Sequence, residues 1–282
     1  MSTTPDSRLS IPGPIAFIGG GNMARSLVGA LIGGGTAANA IRVAEPDSAL
    51  RTALARDFGV ATFERNADAA ASADTVILAV KPQVMRAVCA ELAEAIGERK
   101  PLIISIAAGI RLDQIAQWLG ATPPIVRCMP NTPALIGAGA TGLIANSTAN
   151  ANERSRAEMI LAAAGRTAWI DDEALMDTVT AISGSGPAYF FLLVEALEDA
   201  AAAQGLPRET ARMLASQTCL GAGRMLVESG ENPATLRQRV TSPGGTTAAA
   251  LDAFEAGAFR ALVARAIEAA TTRGRELSAR DH

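Results

Sequence analysis

The chain has 282 residues, enough for two domains with a core each, and 49% of them are apolar while only 4% are aromatic. Its net charge is −3 and it has no basic run, which excludes the electrostatic footprint of a nucleic-acid partner. The polar start, Met1 to Ser10, lacks the apolar core of a signal peptide, and no stretch approaches the length of a membrane span; a cytoplasmic protein with no membrane partner is expected.

Residues 14 to 19 read as a first strand, and Asn22 to Ile32 as a first helix closed by Gly33-Gly34-Gly35. Between them lies Gly19-Gly20-Gly21-Asn22-Met23-Ala24, a G-x-G-x-x-A turn. A strand, this turn and a helix are the order a dinucleotide-binding βαβ unit needs. Gly19 allows a sharp turn, Gly21 lets a pyrophosphate approach the backbone, and Ala24 lets helix and strand pack closely. The first helical N–H groups then face the phosphates. Ile41 to Ala44 is a second strand, Ser48 to Phe58 a second helix, and Val60 to Phe63 a short third strand. Thr75 to Val80 is a doubly apolar run, as expected of a strand buried on both faces, and it stops at Lys81-Pro82. Further strands fall at Leu102 to Ile106, Ile125 to Arg127, Thr141 to Ala145 and Thr167 to Ile170. Helices between strands imply a parallel, doubly wound sheet.

After Asp171-Asp172 no convincing strand remains. The expected organisation is α/β: an N-terminal Rossmann-like domain over 1–172 and an all-helical domain over 173–282. Ser183-Gly-Ser-Gly-Pro187 interrupts the helical pattern. Ala188 to Gln204 is apolar all round, which predicts a buried helix. Either it is covered within one subunit or, as inferred here, the domain pairs with its copy in an intertwined dimer. Pro207 opens another helix that ends at Gly230, Asn232-Pro233 caps a short one, and helix runs from Thr246 to about Leu277 after a turn at Ser242 to Gly245.

Three cysteines (Cys89, Cys128, Cys219) sit in apolar runs and are expected as buried thiols in a reducing compartment; the one histidine is His282. With no C-x-x-C, neither a zinc site nor a His-based triad is supported, and no metal is expected. The end of the second strand reads on the cofactor. A carboxylate at Glu45 suits the free 2′-hydroxyl of NAD and repels the extra phosphate of NADP. Asp47 adds negative charge, and Arg42 and Arg51 offset it. The alternative is a turn-forming Glu-Pro-Asp. Asn66 either touches the adenosine half of the cofactor or caps the helix at Ala67, the reading favoured by its residue type. Lys81 is either catalytic or the charge that ends a strand in solvent. Ser105 to Gly109 ends the next strand with small residues that would let a flat ring lie against backbone. Met129-Pro-Asn-Thr-Pro133 is a rigid segment suited to a pocket wall. Thr241 to Thr247 opens a helix with free N–H groups and hydroxyls, either an anion site for a substrate carboxylate or a plain capping loop.

Together, Phe17-Ile-Gly-Gly-Gly-Asn-Met23, Ala79-Val-Lys-Pro82, Ser105-Ile-Ala-Ala-Gly109, Arg127-Cys-Met-Pro-Asn-Thr-Pro-Ala134, Ser183-Gly-Ser-Gly-Pro-Ala-Tyr189 and Ser242-Pro-Gly-Gly-Thr-Thr247 resemble the pyrroline-5-carboxylate reductases, in their order and spacing, over 14 to about 275. The resemblance implies reduction of Δ1-pyrroline-5-carboxylate to L-proline, the last step of proline biosynthesis. It also implies a Rossmann domain, a helical dimerisation domain and often a ring of dimers. The implied cofactor contacts are Ile18, Gly19, Gly20, Gly21, Asn22, Met23, Glu45, Asn66, Ala79, Val80, Lys81, Pro82, Ala107 and Ala108. The implied substrate loop is Ser242, Gly244, Gly245, Thr246 and Thr247, supplied by the partner subunit, with Thr247 as the hydroxyl that meets the imine nitrogen. Members that use NADPH commonly carry a small hydroxyl residue where this chain has Glu45, so of NADH and NADPH the former is expected.

An imine nitrogen is basic enough to bind its proton beforehand, so the lack of histidine is no obstacle. Positioning contributes up to about 7–11 kcal/mol in well-oriented reactions, and the hydride belongs to the cofactor. A β-hydroxyacid dehydrogenase of the same plan would place a lysine on a second-domain helix, and no lysine follows residue 172. A non-catalytic cofactor sensor would have no need of the Thr246-Thr247 loop.

Overall fold

The computed structural model describes residue 11 and residues 13–279, with Glu98 described by its backbone only. Met1 to Ser10 and His282 lie outside the described residues. The chain divides into two compact units: the first runs to Gly184 and takes in the C-terminal segment from Ala270, and the second is Ser185–Ala269.

The first unit opens with β1 (Ile15–Ile18), α1 (Asn22–Gly33), β2 (Ile41–Ala44), α2 (Ser48–Phe58), β3 (Ala61–Phe63), α3 (Asn66–Ala70), β4 (Thr75–Leu78), α4 (Pro82–Ile96) and β5 (Leu102–Ser105). It continues with α5 (Leu112–Trp118), β6 (Ile125–Met129), β7 (Gly139–Ala145), α6 (Ala151–Ala162), β8 (Gly165–Trp169) and α7 (Met176–Val179). The strands form one sheet in the order β3-β2-β1-β4-β5-β6-β7-β8. Its first six positions have the dinucleotide-binding order, with the reversal of direction between β1 and β4.

Strand β1 shows why the sheet is buried on both faces. Ile15 and Phe17 face one core with Leu27 and Leu31 of α1 and Leu54 of α2. Ala16 and Ile18 face the other with Met85 and Leu92 of α4. Helices on both faces leave no polar side, so the strand is apolar at every position. Phe17 is fully buried, and truncation to Ala would cost about 3–5 kcal/mol.

The expectation of a wholly parallel sheet is corrected at one seam. β6 pairs with β7 antiparallel, while β7 and β8 are parallel to each other. The link from β6 to β7 holds only a 3-10 turn, Thr132–Ile136. A parallel crossover needs a dozen or more residues, so this short link can only reverse the chain. β4 and β5 also end earlier than expected, at Leu78 and Ser105, because the chain turns away at the carboxyl edge of the sheet.

The second unit holds α8 (Gly186–Ala203), α9 (Arg208–Glu228), α10 (Pro233–Arg239), α11 (Thr246–Ala256) and α12 (Phe259–Ser278), whose end from Ala270 belongs to the first unit. Asn232 caps α10 by accepting from Thr235 N at 2.9 Å. The single helix expected from Thr246 to Leu277 is broken at Gly257-Ala258, where Ala258 takes φ 54°. Glu198 on α8 is buried and accepts from Arg212 Nε and Nη2, each at 3.0 Å, and from Arg208 Nη1 at 3.0 Å. The hydrogen bond from Arg212, followed by that from Arg208, holds its carboxyl below the usual range.

Two further readings concern α8. Ser183 to Pro187 interrupts the regular α-helix without ending the helical run: a π-helical turn over Thr180–Gly184 and a bend at Ser185 lie between α7 and α8. There Thr180 Oγ1 donates to Met176 O and Ser183 Oγ to Val179 O, both at 2.8 Å. Pro187 falls in the first turn of α8, where no N–H is needed. The run Glu173–Ala203 is therefore one helical stretch of 31 residues, long and apolar enough to cross a membrane by length and composition. Helix α8 is not covered within one chain: Phe190, Phe191 and Leu192 are 59, 68 and 65% exposed. Of the two alternatives for this helix, cover within one subunit is not found among the described residues.

Candidate active site

The carboxyl edge of the sheet is shaped by glycines with different duties. Gly19 follows β1 with φ 100°, and a Cβ there would lie 2.7 Å from Ala79 O. Only glycine fits so close to the loop after β4. Gly19 N donates to Ala44 O at 2.8 Å, and Ala79 N to Ile18 O at 2.8 Å, so the ends of β1, β2 and β4 are drawn together. At Gly21 a Cβ would meet nothing within 4 Å. This glycine leaves space rather than avoiding a clash. It is also the N-cap of α1, which has no side-chain cap and no acidic residue in its first turn. The N–H groups of Asn22, Met23 and Ala24 lead into that space, and the helix dipole favours an anion there.

Glu45 follows β2 and is only 9% exposed. Its Oε2 accepts from Gly20 N at 2.8 Å and its Oε1 from Asp47 N at 3.0 Å. Asp47 caps α2, accepting from Ala49 N at 2.7 Å and Leu50 N at 3.2 Å. Arg51 turns inward, and its Nη1 donates to Glu45 O and Pro46 O, each at 2.7 Å. Arg42 is drawn away from this turn: it donates to Ser72 Oγ and Asp68 O and stacks on Phe63. Of the two arginines expected to offset the acids, Arg51 alone stands at the turn, held by backbone carbonyls.

Asn66 does not cap its helix. α3 begins at Asn66 itself, with Arg65 as N-cap, and the Asn66 amide donates to Glu91 Oε2 at 2.8 Å. Lys81 is exposed and is the N-cap of α4, with Pro82 in the first turn. Ala79 and Val80 are half-buried beside Gly19, Ala107 is buried and Ala108 exposed. Ile18 to Met23, Glu45 and Ala79 to Pro82 therefore converge at one edge, with Ala107 and Ala108 at the end of the adjacent strand.

The segment Met129 to Pro133 is less free than a pocket wall. Asn131 is buried; its Nδ2 donates to Ser183 O at 2.9 Å and its Oδ1 accepts from Ala140 N at 2.9 Å. Sequence reasoning also missed the partner of Arg127. Arg127 is almost fully buried, and its Nη1 pairs with Glu173 Oε1 at 2.8 Å, an oxygen that also accepts from Leu112 N at 2.9 Å. An arginine inside an apolar strand was the signal that a buried acid must exist.

In the second unit, Gly245 N donates to Ser242 O at 3.0 Å, closing the Ser242 to Gly245 turn, with Gly244 at φ 68°. Gly245 is the N-cap of α11, which has no side-chain cap and no acidic residue in its first turn. Thr246 is exposed and Thr247 half-buried. Backbone donors and two hydroxyls stand together at a helix N-terminus, as a carboxylate-binding loop needs.

Cys89 and Cys128 are buried, as expected, while Cys219 is half-buried. Burial pushes the Cys89 thiol up to about 12 and raises Cys128 further, so neither supplies a nucleophile. No cluster of metal-ligating side chains occurs among the described residues.

The glycine cradle, the acid after β2 and the strand order fit a dinucleotide, and with an all-helical second unit they define the class of two-unit, Rossmann-type dinucleotide-binding proteins. Comparison with known proteins narrows this. Residues 14–109 match the family model described as NADP oxidoreductase coenzyme F420-dependent, and residues 173–277 match pyrroline-5-carboxylate reductase dimerisation. The chain is 52% identical over 264 residues to the pyrroline-5-carboxylate reductase of Pseudomonas aeruginosa, covering 94% of this chain and 96% of that protein. A pyrroline-5-carboxylate reductase from Coxiella burnetii superposes with a TM-score of 0.92 at 45% identity, covering 95% of this chain and 99% of that one. The Plasmodium falciparum pyrroline carboxylate reductase, solved with NADP bound, gives a TM-score of 0.82 at 28% identity, covering 96% of this chain and 100% of that one. The chain belongs to the pyrroline-5-carboxylate reductase family.

Proposed function

We propose that this protein reduces Δ1-pyrroline-5-carboxylate to L-proline with a nicotinamide cofactor, and that NADH is the preferred donor. The observation that carries the reduction is the joint presence of an open glycine cradle at Gly21 and an uncapped, hydroxyl-bearing helix start at Thr246-Thr247, in a chain of this family. A bound reduced nicotinamide would supply the hydride. This chain's residues bind and orient. The N–H groups after Gly21 hold the pyrophosphate, and Glu45 takes the ribose hydroxyls. Ala107 and Ala108 give the ring a flat backbone surface. The N–H groups of the Gly245 to Thr247 turn hold the substrate carboxylate, and the Thr247 hydroxyl hydrogen-bonds the imine nitrogen.

Preference for NADH rests on the turn after β2. A 2′-phosphate would need free donors and a positive field. Here Glu45 occupies the N–H of Asp47, Asp47 occupies two N–H groups of α2, and Arg51 is turned onto two carbonyls. Two carboxylates face the incoming phosphate, and Arg51, the one cation of these groups, is held by two carbonyls and lies 3.6 Å from Glu64 Oε2.

We also read the exposed faces of α8 and α9 as the seam of an intertwined homodimer in the cytoplasm, with a ring of dimers as the larger assembly. The protein is proposed to serve proline biosynthesis. Steady-state rates of imine-dependent oxidation of NADH and NADPH, measured side by side, test the cofactor reading. A higher kcat/KM with NADH is expected, and Glu45→Ser is expected to move the ratio toward NADPH. A ratio that Glu45→Ser leaves in place would remove Glu45 as the discriminator. Thr247→Ala is expected to lower kcat with NADH affinity intact; an unchanged kcat would remove Thr247 from the reaction.

A further inference from the structure

We infer that Glu45 is a positioning residue for the phosphate loop, so that the side chain reading the ribose also holds the glycine turn in its binding shape before any cofactor arrives. The inference rests on the cofactor reading above for the identity of the site, but its evidence is geometry within the chain.

Three observations carry it. Gly20 N donates to Glu45 Oε2 at 2.8 Å across 25 residues of sequence, which ties the middle of the glycine turn to the end of β2. The bond is buried, so the carboxylate is not shared with bulk water. The turn has also given up a side chain to make this contact. A Cβ at Gly20 would lie 2.7 Å from Leu54 Cδ1, 3.1 Å from Glu45 Cβ and 3.2 Å from Glu45 Cγ. In G-x-G-x-x-A the second position is the free one. Here it is glycine because Glu45 and Leu54 fill the space a side chain would need.

The other oxygen completes the device. Glu45 Oε1 accepts from Asp47 N at 3.0 Å, and Arg51 fixes the carbonyls of Glu45 and Pro46. The carboxylate is thus oriented from its own turn and in turn orients Gly20. A carboxylate has about four acceptor sites. Two are used by the backbone, and the remainder are available to ribose hydroxyls. Reading the ribose and holding the loop are therefore compatible in one group, and they are coupled. Loss of Glu45 relaxes discrimination and also loosens the donors that meet the pyrophosphate.

The test is amide hydrogen exchange on the cofactor-free protein. Glu45→Ala and Glu45→Gln carry the same charge, but only Gln keeps an acceptor within reach of Gly20 N. Gly20 exchange is expected to quicken about tenfold or more in Glu45→Ala, the loss of a hydrogen bond to a charged group, and by less in Glu45→Gln. The amides of Ile15 to Ile18 are expected to stay slow, which separates release of the turn from loss of the fold. Affinity for 2′,3′-dideoxy-ADP, which lacks both hydroxyls that Glu45 would read, is expected to be several-fold weaker in Glu45→Ala than in Glu45→Gln. Wild-type exchange at Gly20 in Glu45→Ala, or equal 2′,3′-dideoxy-ADP affinity in the two variants, would overturn the inference. Neither readout depends on which of NADH and NADPH the enzyme prefers, so failure here is distinct from failure of the cofactor reading.

Discussion

Gly19 and Gly21 are separated by one residue, and the same substitution has opposite consequences at the two. At Gly19 an alanine meets a backbone at φ 100° and a Cβ placed 2.7 Å from Ala79 O. Unfavourable φ costs about 1–3 kcal/mol, and overpacking against a fixed carbonyl costs about 1–3 kcal/mol more. Gly19→Ala is therefore expected to destabilise the cofactor-free protein by at least about 2 kcal/mol, a Tm lowered by roughly 4–8 °C for a unit of this size. At Gly21 the backbone has φ −67° and ψ −176°, which alanine adopts without strain, and the added Cβ meets nothing within 4 Å. Gly21→Ala should leave stability within about 0.5 kcal/mol of the wild type. The new methyl group stands where phosphate oxygens must approach the N–H donors of α1. Losing one such charged hydrogen bond is worth about 1.5–3 kcal/mol, or roughly tenfold to a hundredfold in NADH affinity. Thermal melts without cofactor and fluorescence titration with NADH separate the two effects. A Gly21→Ala variant that binds NADH normally would refute the placement of the phosphates. A Gly19→Ala variant that melts with the wild type would refute the steric argument.

Removing Glu173 leaves the Arg127 guanidinium buried without its partner. Breaking a buried pair costs about 3–5 kcal/mol, and because Glu173 is a quarter exposed the expected loss for Glu173→Ala is about 2 kcal/mol by urea denaturation. Glu173→Gln, which keeps an acceptor for Leu112 N, should lose less. The raised thiol of Cys89 sets an alkaline limit: burial holds it protonated in the folded chain to about 12 against an ordinary value of 9.0. Between the two values the folded state keeps a proton that the unfolded chain has lost, so the contribution is full below pH 9 and falls by about 1.4 kcal/mol per pH unit from there to about pH 12. Cys89→Ala should flatten that slope; an unaltered slope would exclude Cys89 as a source. Phe191, 68% exposed on α8, is expected to be covered by a second copy. Phe191→Glu should dissociate the assembly in sedimentation velocity, and an unchanged sedimentation coefficient would place the seam elsewhere.

Much of the candidate site was legible because its residues are constrained locally. The glycine turn, the acid after the second strand and the small residues after β4 and β5 each follow from where a strand ends. The second strand and second helix were placed to the residue at both ends, since Ile41 follows a break and Asp47 caps what comes next. What sequence missed depends on pairs far apart along the chain. Arg127 and Glu173 meet only because β6 lies under the segment before α7. Asn131 is spent on Ser183 O and Ala140 N, neither of which its neighbours reveal. The Gly20–Glu45 bond closes across a β-α-β unit, and no local pattern around Gly20 reveals that partner. Asn66 read as a cap by residue type, yet Arg65 takes that position and Asn66 turns to Glu91. The interruption at Ser183 to Pro187 was legible from its glycines and proline, but not its form, a π-turn with two hydroxyl back-bonds. The apolar surface of α8 was legible as a pattern, and so was its lack of cover within one chain, because a small helical domain cannot enclose a helix that is apolar on every side.

The central claim is that this chain transfers hydride from a nicotinamide to the imine of pyrroline-5-carboxylate. The most direct measurement is a closed reaction of purified protein, NADH and Δ1-pyrroline-5-carboxylate in which cofactor oxidised and L-proline formed are quantified together. The account predicts rapid imine-dependent oxidation with the two amounts equal, and the same result at lower efficiency with NADPH. A folded protein that binds NADH yet forms no proline with either cofactor would contradict it.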